Sequence, residues 1–334
     1  MSSFICALSV IDPPEYFSSL DIEKMISKTY ENLKLSEGRL SFITGVDRRG
    51  YWPEPIRPSD IATDAARKLF ETHSIEPSNI DLLINASVCK DYEEPSTASF
   101  VHKNLSLRDD CKSFDISNAC LGVMNAIDIA RMYLKDESIK NVLIVSGENS
   151  RDLLKDTIKV INKSQCSRKD LKKFLASFTI GSAGSAIIVS SEPENAIWEI
   201  GEIHSMSDTN SSHLCEGTKV DGVLLMETDS EKLLINGLKI ANKNYQKFTN
   251  APFDKYVLHQ VGSTHRSKII QSLEIPNDRD FSVFKEFGNS GSSAIIVALE
   301  KGYSEKFITK NDSIGLLGIG SGLHTLMMEL RPCN

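Results

Sequence analysis

Hydrophobic residues recur along the chain in short runs that alternate between strand-like and helix-like spacing. The segments 80–88 (IDLLINASV), 139–146 (IKNVLIVS) and 185–190 (SAIIVS) are apolar and bounded by turn residues, which predicts buried strands. A helix is predicted from about 120 to 135, because apolar residues there follow a helical stripe. Further helices are predicted at 59–70 and 95–105, and a short strand at 112–117. Such alternation predicts an α/β protein.

The second part of the chain repeats this order. A strand at 254–260 (DKYVLHQ) is followed by helices at 263–273 and 290–302 and by a strand at 313–318 (SIGLLG). The turn Ser191-Glu192-Pro193-Glu194 separates the two series. We therefore predict two related α/β halves, residues 1–190 and 191–334, packed against each other.

Composition and charge narrow the class of function. The 334 residues carry a formal net charge of -7 and contain no long basic stripe, which argues against nucleic acid as a partner. Neither a basic leader nor a long apolar run is present, so we expect a cytoplasmic chain without membrane insertion. The seven cysteines are scattered and never spaced as C-x-x-C, which favours a reducing compartment over disulfides or a zinc site.

Cys120 is a candidate nucleophile. In SFDISNACLGVMNAI a strand gives way to a helix, and Cys120 falls at the predicted start of that helix. Free N–H groups and the helix dipole stabilise a thiolate there, so we expect a lowered thiol pKa. Its backbone N–H is also a candidate oxyanion donor. Most free cysteines are small core residues, however, and position alone leaves the two interpretations even.

His259 and Asn289 are further candidates for chemistry. His259 follows the strand YVLH, and open α/β sheets place ligand-handling residues at that end of a strand. Asn289 lies in the glycine-rich segment FGNSGSS, which by itself is more often a turn than a site. No metal site is predicted, because the spacing of His259 and His265 does not suit shared ligation.

The segment Gly318-Ile319-Gly320-Ser321-Gly322 has a glycine spacing similar to a dinucleotide-binding loop. It is followed by the strand-like LHTLMMEL rather than by a helix, so that interpretation fails. A glycine loop between two strands instead lets backbone N–H groups approach a carbonyl oxygen closely.

Taken together, DISNACLG, the His-Gln pair at 259–260, FGNSGSS and GIGSG resemble the motifs of β-ketoacyl-(acyl carrier protein) synthase III enzymes of the thiolase superfamily. They occur in the order of that family, and TGVDRR, EPSTAS and SGENSR extend the resemblance over nearly the whole chain. The resemblance implies the five-layered αβαβα thiolase fold of two similar halves and a homodimer. It also implies that Cys120 is acylated, that His259 and Asn289 bind the thioester oxygen of the extending unit, and that Cys120 and Ser321 supply oxyanion N–H groups.

Two departures from the chain-initiating fatty-acid enzymes bear on function. Thr264 stands where those enzymes have an Arg that receives the carrier protein, with Arg266 two residues later, so docking of an acyl carrier protein stays open. The segment CKDYEEPS resembles the head-to-head condensing enzymes of olefin biosynthesis and the pyrone-forming ketosynthases. In that subgroup the glutamate before the proline, here Glu94, reaches into the partner's site. Without the resemblance, Glu94 is an ordinary solvated carboxylate.

The resemblance implies acyl-CoA or phosphopantetheine-carrier thioesters as substrates and no tightly bound cofactor. Arg48 and Arg49 are candidate contacts for the phosphates of the carrier arm, and Phe178 is a candidate for the acyl channel. The expected reaction is a Claisen condensation of an acyl-Cys120 with a second acyl or β-ketoacyl thioester, giving a β-keto or cyclised product. The alternatives are a decarboxylating synthase that uses a malonyl thioester in fatty-acid initiation, an acyltransferase acting on alcohols or amines, and a non-catalytic binding protein.

Overall fold

The computed structural model describes residues 2–163 and 165–333. Fourteen strands lie within these residues: β1 Phe4–Ile11, β2 Glu15–Ser18, β3 Arg48–Tyr51, β4 Leu82–Asn85, β5 Lys112–Asp115, β6 Asn141–Glu148, β7 Ala183–Ser190, β8 Trp198–Ser207, β9 Cys215–Val220, β10 Val223–Thr228, β11 Lys255–Leu258, β12 Asp280–Phe281, β13 Ile314–Gly320 and β14 His324–Pro332.

Twelve α-helices lie within the same residues: α1 Ser19–Met25, α2 Ser27–Asn32, α3 Arg39–Thr44, α4 Pro58–His73, α5 Thr97–Asn104, α6 Gly122–Tyr133, α7 Arg151–Lys163, α8 Arg168–Phe174, α9 Ser230–Tyr245, α10 Ser263–Ser272, α11 Phe284–Phe287 and α12 Ala294–Ser304. None of these helices is long and apolar enough to cross a bilayer.

Ten of the strands form one sheet in the order β12-β11-β13-β14-β8-β1-β7-β6-β4-β5. Read outward from the central pair β1 and β8, each side has the same arrangement: two antiparallel pairings followed by two parallel ones. The two sides meet where β1 pairs with β8, with Phe4 opposite Glu199 and Ile5 opposite Trp198. The strand order therefore repeats, as expected for two related halves, and the division at residues 190 and 191 stays a prediction.

Apolar side chains arrange the helices in layers. We call β1, β7, β6, β4 and β5 the first half-sheet and β8, β14, β13, β11 and β12 the second half-sheet. Helices α4 and α5 cover one face of the first half-sheet, and α9 and α10 cover one face of the second. The mostly apolar α6 and α12 contact strands of both half-sheets and share one core with them. Helices that are apolar on most sides are buried, so these two form a central layer. The layers are helix, sheet, helix, sheet, helix.

No helix was predicted from the sequence in the lysine-rich residues 156–173, but residues 156–163 and 168–173 are helical. They belong to α7 and α8, whose inward faces are apolar. Leu154 and Ile161 of α7 pack with Leu171 and Phe174 of α8 in a separate core.

Candidate active site

A tight elbow presents Cys120 at the edge of the first half-sheet. Ala119 takes a left-handed conformation with φ +46°, and α6 begins at Gly122, two residues later than the start expected from the sequence. Gly122 is required by packing, because a Cβ atom there would lie 2.5 Å from the carbonyl oxygen of Ala86. The segment that carries Cys120 therefore packs closely against the carboxyl end of β4.

The expected lowering of the Cys120 thiol pKa is wrong. Desolvation by the surrounding protein raises that pKa to about 12, and the nearby charge of Glu148 adds to the effect, while the Asn289 amide opposes it. Burial removes more hydration free energy from the thiolate than the N–H groups and dipole at the start of a helix provide. Cys120 itself keeps part of its surface exposed, so a ligand can reach it.

Asn289 points its side-chain amide at this sulfur. Its backbone N–H donates to Thr179 O at 2.8 Å and its carbonyl accepts from Gly181 N at 2.9 Å. Its Oδ1 accepts from Gly291 N at 3.0 Å, which leaves Nδ2 to donate to Cys120 Sγ at 3.9 Å. The amide is therefore fixed with its donor end towards Cys120.

His259 directly follows β11, and its backbone N–H donates to Leu317 O at 2.9 Å. The residue is 3% exposed, and neither ring nitrogen has a hydrogen-bond partner among the described residues. Burial lowers the pKa of His259 to about 4, so the ring is neutral near pH 7. A buried imidazole with both nitrogens free is available to bind a substrate oxygen.

The glycine loop that contains Ser321 joins β13 to β14, as the sequence predicted. A Cβ atom at Gly320 would lie 3.0 Å from the side chain of Leu121, so this loop packs directly on the Cys120 elbow. Ser321 Oγ donates to Cys215 Sγ at 3.2 Å. Because β13 is the neighbour of β11, the loop and His259 lie at the same edge of the second half-sheet.

Glu94 is exposed on the loop between β4 and α5, and the peptide bond that joins it to Pro95 is cis. The loop is tied down near Glu94: Asp91 accepts from Ser59 N at 2.9 Å and from Ser59 Oγ at 2.5 Å. Glu94 is therefore presented outward on a fixed loop.

Of the three candidate substrate contacts, Arg49 does not fit the structure, and Phe178 as a residue of the acyl channel stays a prediction. Arg49 is fully buried and donates to Ser19 Oγ and Phe178 O at 2.9 and 2.5 Å, so its guanidinium does not face solvent where a phosphate would approach. Phe178 is fully buried in the core with α7 and α8. Arg48 is exposed and bound to Glu286 at 2.6 Å.

Arg266 is also engaged within the fold. It binds Asp280 at 2.6 Å through Nε and at 2.5 Å through Nη2, and Asp280 is buried. Burial raises the pKa of Asp280 to about 6 despite this partner. An arginine paired with a buried carboxylate is poorly placed to receive an acidic carrier protein.

The sequence motifs did not single out Glu148, which the structure places behind the site. It is 2% exposed, and it accepts hydrogen bonds from Val88 N at 2.8 Å and from Ser292 N at 3.2 Å. Its only signal in the sequence was its place in SGENSR. Across residues 2–163 and 165–333, no group of His, Cys, Asp or Glu side chains is arranged to hold a metal ion.

Three family models match the chain. The model of 3-oxoacyl-[acyl-carrier-protein] synthase III matches residues 114–209, and the model of its C-terminal part matches residues 245–331. The model of FAE1/type III polyketide synthase-like proteins matches residues 57–154.

Relatives match over almost the full length. An acyl-CoA:acyl-CoA alkyltransferase of Xanthomonas campestris pv. campestris is 33% identical over 98% of this chain and 97% of its own, and one of Shewanella oneidensis is 30% identical over 98% of each. A β-ketoacyl-[acyl-carrier-protein] synthase III of Coxiella burnetii is 26% identical over 93% of each chain.

The fold agrees with solved structures. Xanthomonas campestris OleA with bound lauric acid and lauroyl-CoA is 33% identical, with a TM-score of 0.93 and coverage of 99% of both chains. Other solved structures include a cerulenin complex and variants in which a cysteine, a glutamate or a histidine is replaced. The predicted five-layered fold of two similar halves is confirmed.

Proposed function

Because the chain belongs to the β-ketoacyl-(acyl carrier protein) synthase III-like condensing enzymes of the thiolase superfamily, we propose that it joins two acyl groups head to head. Cys120 takes an acyl group from a thioester, and a second acyl or β-ketoacyl thioester is condensed with it in a Claisen reaction. The product is a β-keto compound or its cyclised, pyrone-like derivative. The two relatives named acyl-CoA:acyl-CoA alkyltransferase support coenzyme A as the thiol carrier.

The observation that carries this proposal is the Asn289 amide donating to Cys120 Sγ at 3.9 Å. In the first half-reaction the Cys120 thiolate attacks the thioester carbonyl, the C–S bond to coenzyme A breaks, and the thiol leaves with the proton that Cys120 loses. The backbone N–H groups of Cys120 and Ser321 are the proposed oxyanion donors.

In the second half-reaction the α-carbon of the other thioester becomes an enolate. The neutral His259 and the Asn289 amide donate hydrogen bonds to its oxygen, which lowers the cost of the developing charge. The enolate carbon attacks the acyl-Cys120 carbonyl, and the C–S bond breaks to return Cys120 to the thiolate. Asn289 Nδ2 is fixed by the Oδ1 contact with Gly291 N, so little reorganisation is needed.

Glu94 is the proposed base that takes the α-proton, from the partner subunit of a homodimer. Its exposure in the single chain fits a side chain that acts outside its own subunit. Exposed apolar residues near this loop, Val88, Tyr92 and Ile56, fit burial against a second copy. In a partner's desolvated site a carboxylate becomes a stronger base. The solved OleA variants replace a glutamate, a cysteine and a histidine in the order of Glu94, Cys120 and His259.

Product analysis tests the reaction. We expect the enzyme, given only unbranched acyl-CoA, to form a β-keto product with release of coenzyme A. If a product forms only when a malonyl thioester is added, the enzyme is a decarboxylating synthase, as the Coxiella relative's name suggests for that protein.

Complementation tests the role of Glu94 across the dimer. Cys120→Ala and Glu94→Gln chains are each expected to be inactive, and a mixed dimer contains one site with both residues intact. Random mixing should restore about a quarter of wild-type activity, since half the dimers are mixed and each has one intact site. Mixtures that stay inactive, although mixed dimers form, would place Glu94 in its own subunit's site.

A further inference from the structure

Glu148 is a buried carboxylate at the end of β6, and it bonds to backbone groups from two different loops. Its Oε1 accepts from Val88 N at 2.8 Å and from Ser292 N at 3.2 Å, and its Oε2 accepts from Cys89 N at 3.1 Å. Ser146 Oγ donates to Oε1 at 3.2 Å. Four donors therefore compensate for the burial of one charge.

The first loop leads to Glu94. Val88 and Cys89 are its opening residues, so Glu148 fixes the end at which the chain leaves the sheet. The other end is fixed in the same way, because Asp115 accepts from Thr97 N and Ala98 N, both at 2.8 Å. Glu94 is thus carried on a loop held by carboxylates at both ends.

The second loop carries Asn289. Ser292, three residues later, donates its backbone N–H to Glu148. Its Oγ accepts from Val123 N at 2.8 Å, in the first turn of the helix that follows Cys120. Gly291 lies so close to Glu148 that a Cβ atom there would be 3.0 Å from the carboxyl carbon. The Asn289 loop and the Cys120 helix are therefore joined to the same carboxylate.

Hydrogen bonds rather than an opposite charge hold Glu148 in place. Within the described part of the chain it forms no ion pair with Lys, Arg or His at salt-bridge distance. Burial raises its pKa, and its charge in turn raises the pKa of Cys120. Burial of a carboxylate without an opposite charge lowers the stability of the fold, so packing of the core does not by itself explain why a glutamate stands at position 148.

We propose that Glu148 is a positioning residue that couples the Glu94 loop to the Asn289 loop and, through Ser292, to the Cys120 helix. It touches no substrate. It sets the relative positions of the proposed base, the proposed enolate-binding amide and the acylated sulfur, so its effect falls on condensation more than on acylation. The catalytic part of this inference rests on the proposed function, whereas the coupling of the loops does not.

Backbone hydrogen exchange tests the coupling without any activity assay. In Glu148→Ala we expect the amides of Val88, Cys89 and Ser292 to exchange at least about 10-fold faster than in wild type. Glu148→Gln is the variant to measure if Glu148→Ala does not fold. It turns an NH₂ group towards Cys89 N, and because both loops are bound to this one side chain, exchange at Cys89 and at Ser292 should both become faster.

Glu23→Gln is the matched control. Glu23 is 4% exposed and also accepts from two backbone amides, Gly38 N at 2.8 Å and Leu40 N at 2.6 Å, away from Cys120. It should leave exchange at Val88, Cys89 and Ser292 unchanged. If the control accelerates these amides equally, or if Glu148 variants loosen only one of the two loops, the coupling is contradicted.

Separate measurement of the two half-reactions tests the catalytic part. In Glu148→Gln we expect acylation of Cys120 by lauroyl-CoA within about 3-fold of wild type and condensation slower by about 10- to 100-fold. The rate of Cys120 alkylation at fixed pH should rise, because a charge that disfavours the thiolate is gone. Equal losses in both half-reactions, with unchanged alkylation, would leave Glu148 a merely structural residue. If wild type itself does not condense acyl groups, the proposed function fails, and the exchange result still decides the coupling.

Discussion

The side-chain amide of Asn289 donates to the Sγ of Cys120 at 3.9 Å, although 169 residues separate the two in sequence. Each comes from a different half of the repeated fold: Cys120 lies between β5 and α6, and Asn289 lies between α11 and α12. Packing of the two halves through α6 and α12 is therefore what assembles the site.

Replacement of the proposed nucleophile gives the first prediction. Cys120→Ala should form no acyl adduct with acyl-CoA, and turnover should fall by at least about a thousandfold, because the covalent intermediate cannot form. Intact-mass measurement after incubation with lauroyl-CoA checks this. Cys333→Ala is a suitable control, since Cys333 is an exposed free cysteine outside the elbow. An adduct of equal yield on the Cys120→Ala chain would contradict the assignment.

Removal of the Asn289 side-chain amide should slow condensation much more than acylation. We expect Asn289→Ala to form the acyl-enzyme but to condense it about 100- to 1,000-fold more slowly, the usual cost of removing one donor to a developing oxyanion. Stopped time courses of adduct and product measure the two steps. Full turnover by this variant would favour acyl transfer to an alcohol or amine, which needs no enolate.

The role of Glu94 as the proposed base can be tested against the neighbouring Glu93. Glu94→Gln should lower non-decarboxylating condensation by about 100- to 10,000-fold, because general-base catalysis contributes factors of that size. Glu93→Gln changes the same charge on the adjacent exposed residue and should stay near wild type. Product yields from acyl-CoA alone provide the comparison. Similar losses in both variants would indicate a general effect of loop charge.

The buried histidine predicts a pH-dependent stability. Its pKa is about 4 in the folded chain and 6.5 ordinarily, so below pH 6.5 the unfolded state binds more protons. Stability is then lost as pH falls from 6.5 to 4, and the His259 contribution between pH 7 and pH 5 is about 2 kcal/mol. Denaturant unfolding of wild type and His259→Asn at both values measures it. An identical pH dependence in the two proteins would show that His259 titrates normally.

Two glycines with positive φ allow the stability cost of backbone strain to be measured separately from the cost of a steric clash. Gly222 (φ +79°) has open space around its Cβ position, whereas Gly291 (φ +60°) faces the Glu148 carboxylate. Gly222→Ala should cost about 1 kcal/mol, the strain of a left-handed alanine. Gly291→Ala should cost about 2–3 kcal/mol, since it adds the collision. Thermal unfolding checks the order, and equal costs would mean that Glu148 moves freely.

The order of strand-like and helix-like hydrophobic patterns along the chain was enough to predict much of the fold. The strand at 185–190 is part of β7, and the helices predicted near 59–70 and 263–273 match α4 and α10 closely. Periodicity works there because each segment has one buried face. The helices α7 and α8 were not predicted, although the buried residues Leu153, Leu154 and Ile161 of α7 follow helical spacing among the many lysines.

The site was predictable only where a motif marked it. The neighbourhoods of Cys120, His259 and Asn289 carry local signals, but the raised Cys120 pKa depends on burial, which no local pattern reports. Arg49 was a candidate contact for the phosphates of the carrier arm, but the tertiary fold buries it completely. Glu148 gave no periodic signal, because its partners come from two distant loops.

A single-turnover chase shows whether the acyl group on Cys120 becomes part of the product. Enzyme acylated with a carbon-labelled acyl-CoA is freed of excess reagent and then given an unlabelled acyl-CoA, and the product is fragmented by mass spectrometry. We expect one label per product, located on the side of the β-keto carbonyl, with matching loss of the adduct from Cys120. An unlabelled product, or an adduct that persists while product accumulates, would contradict this expectation.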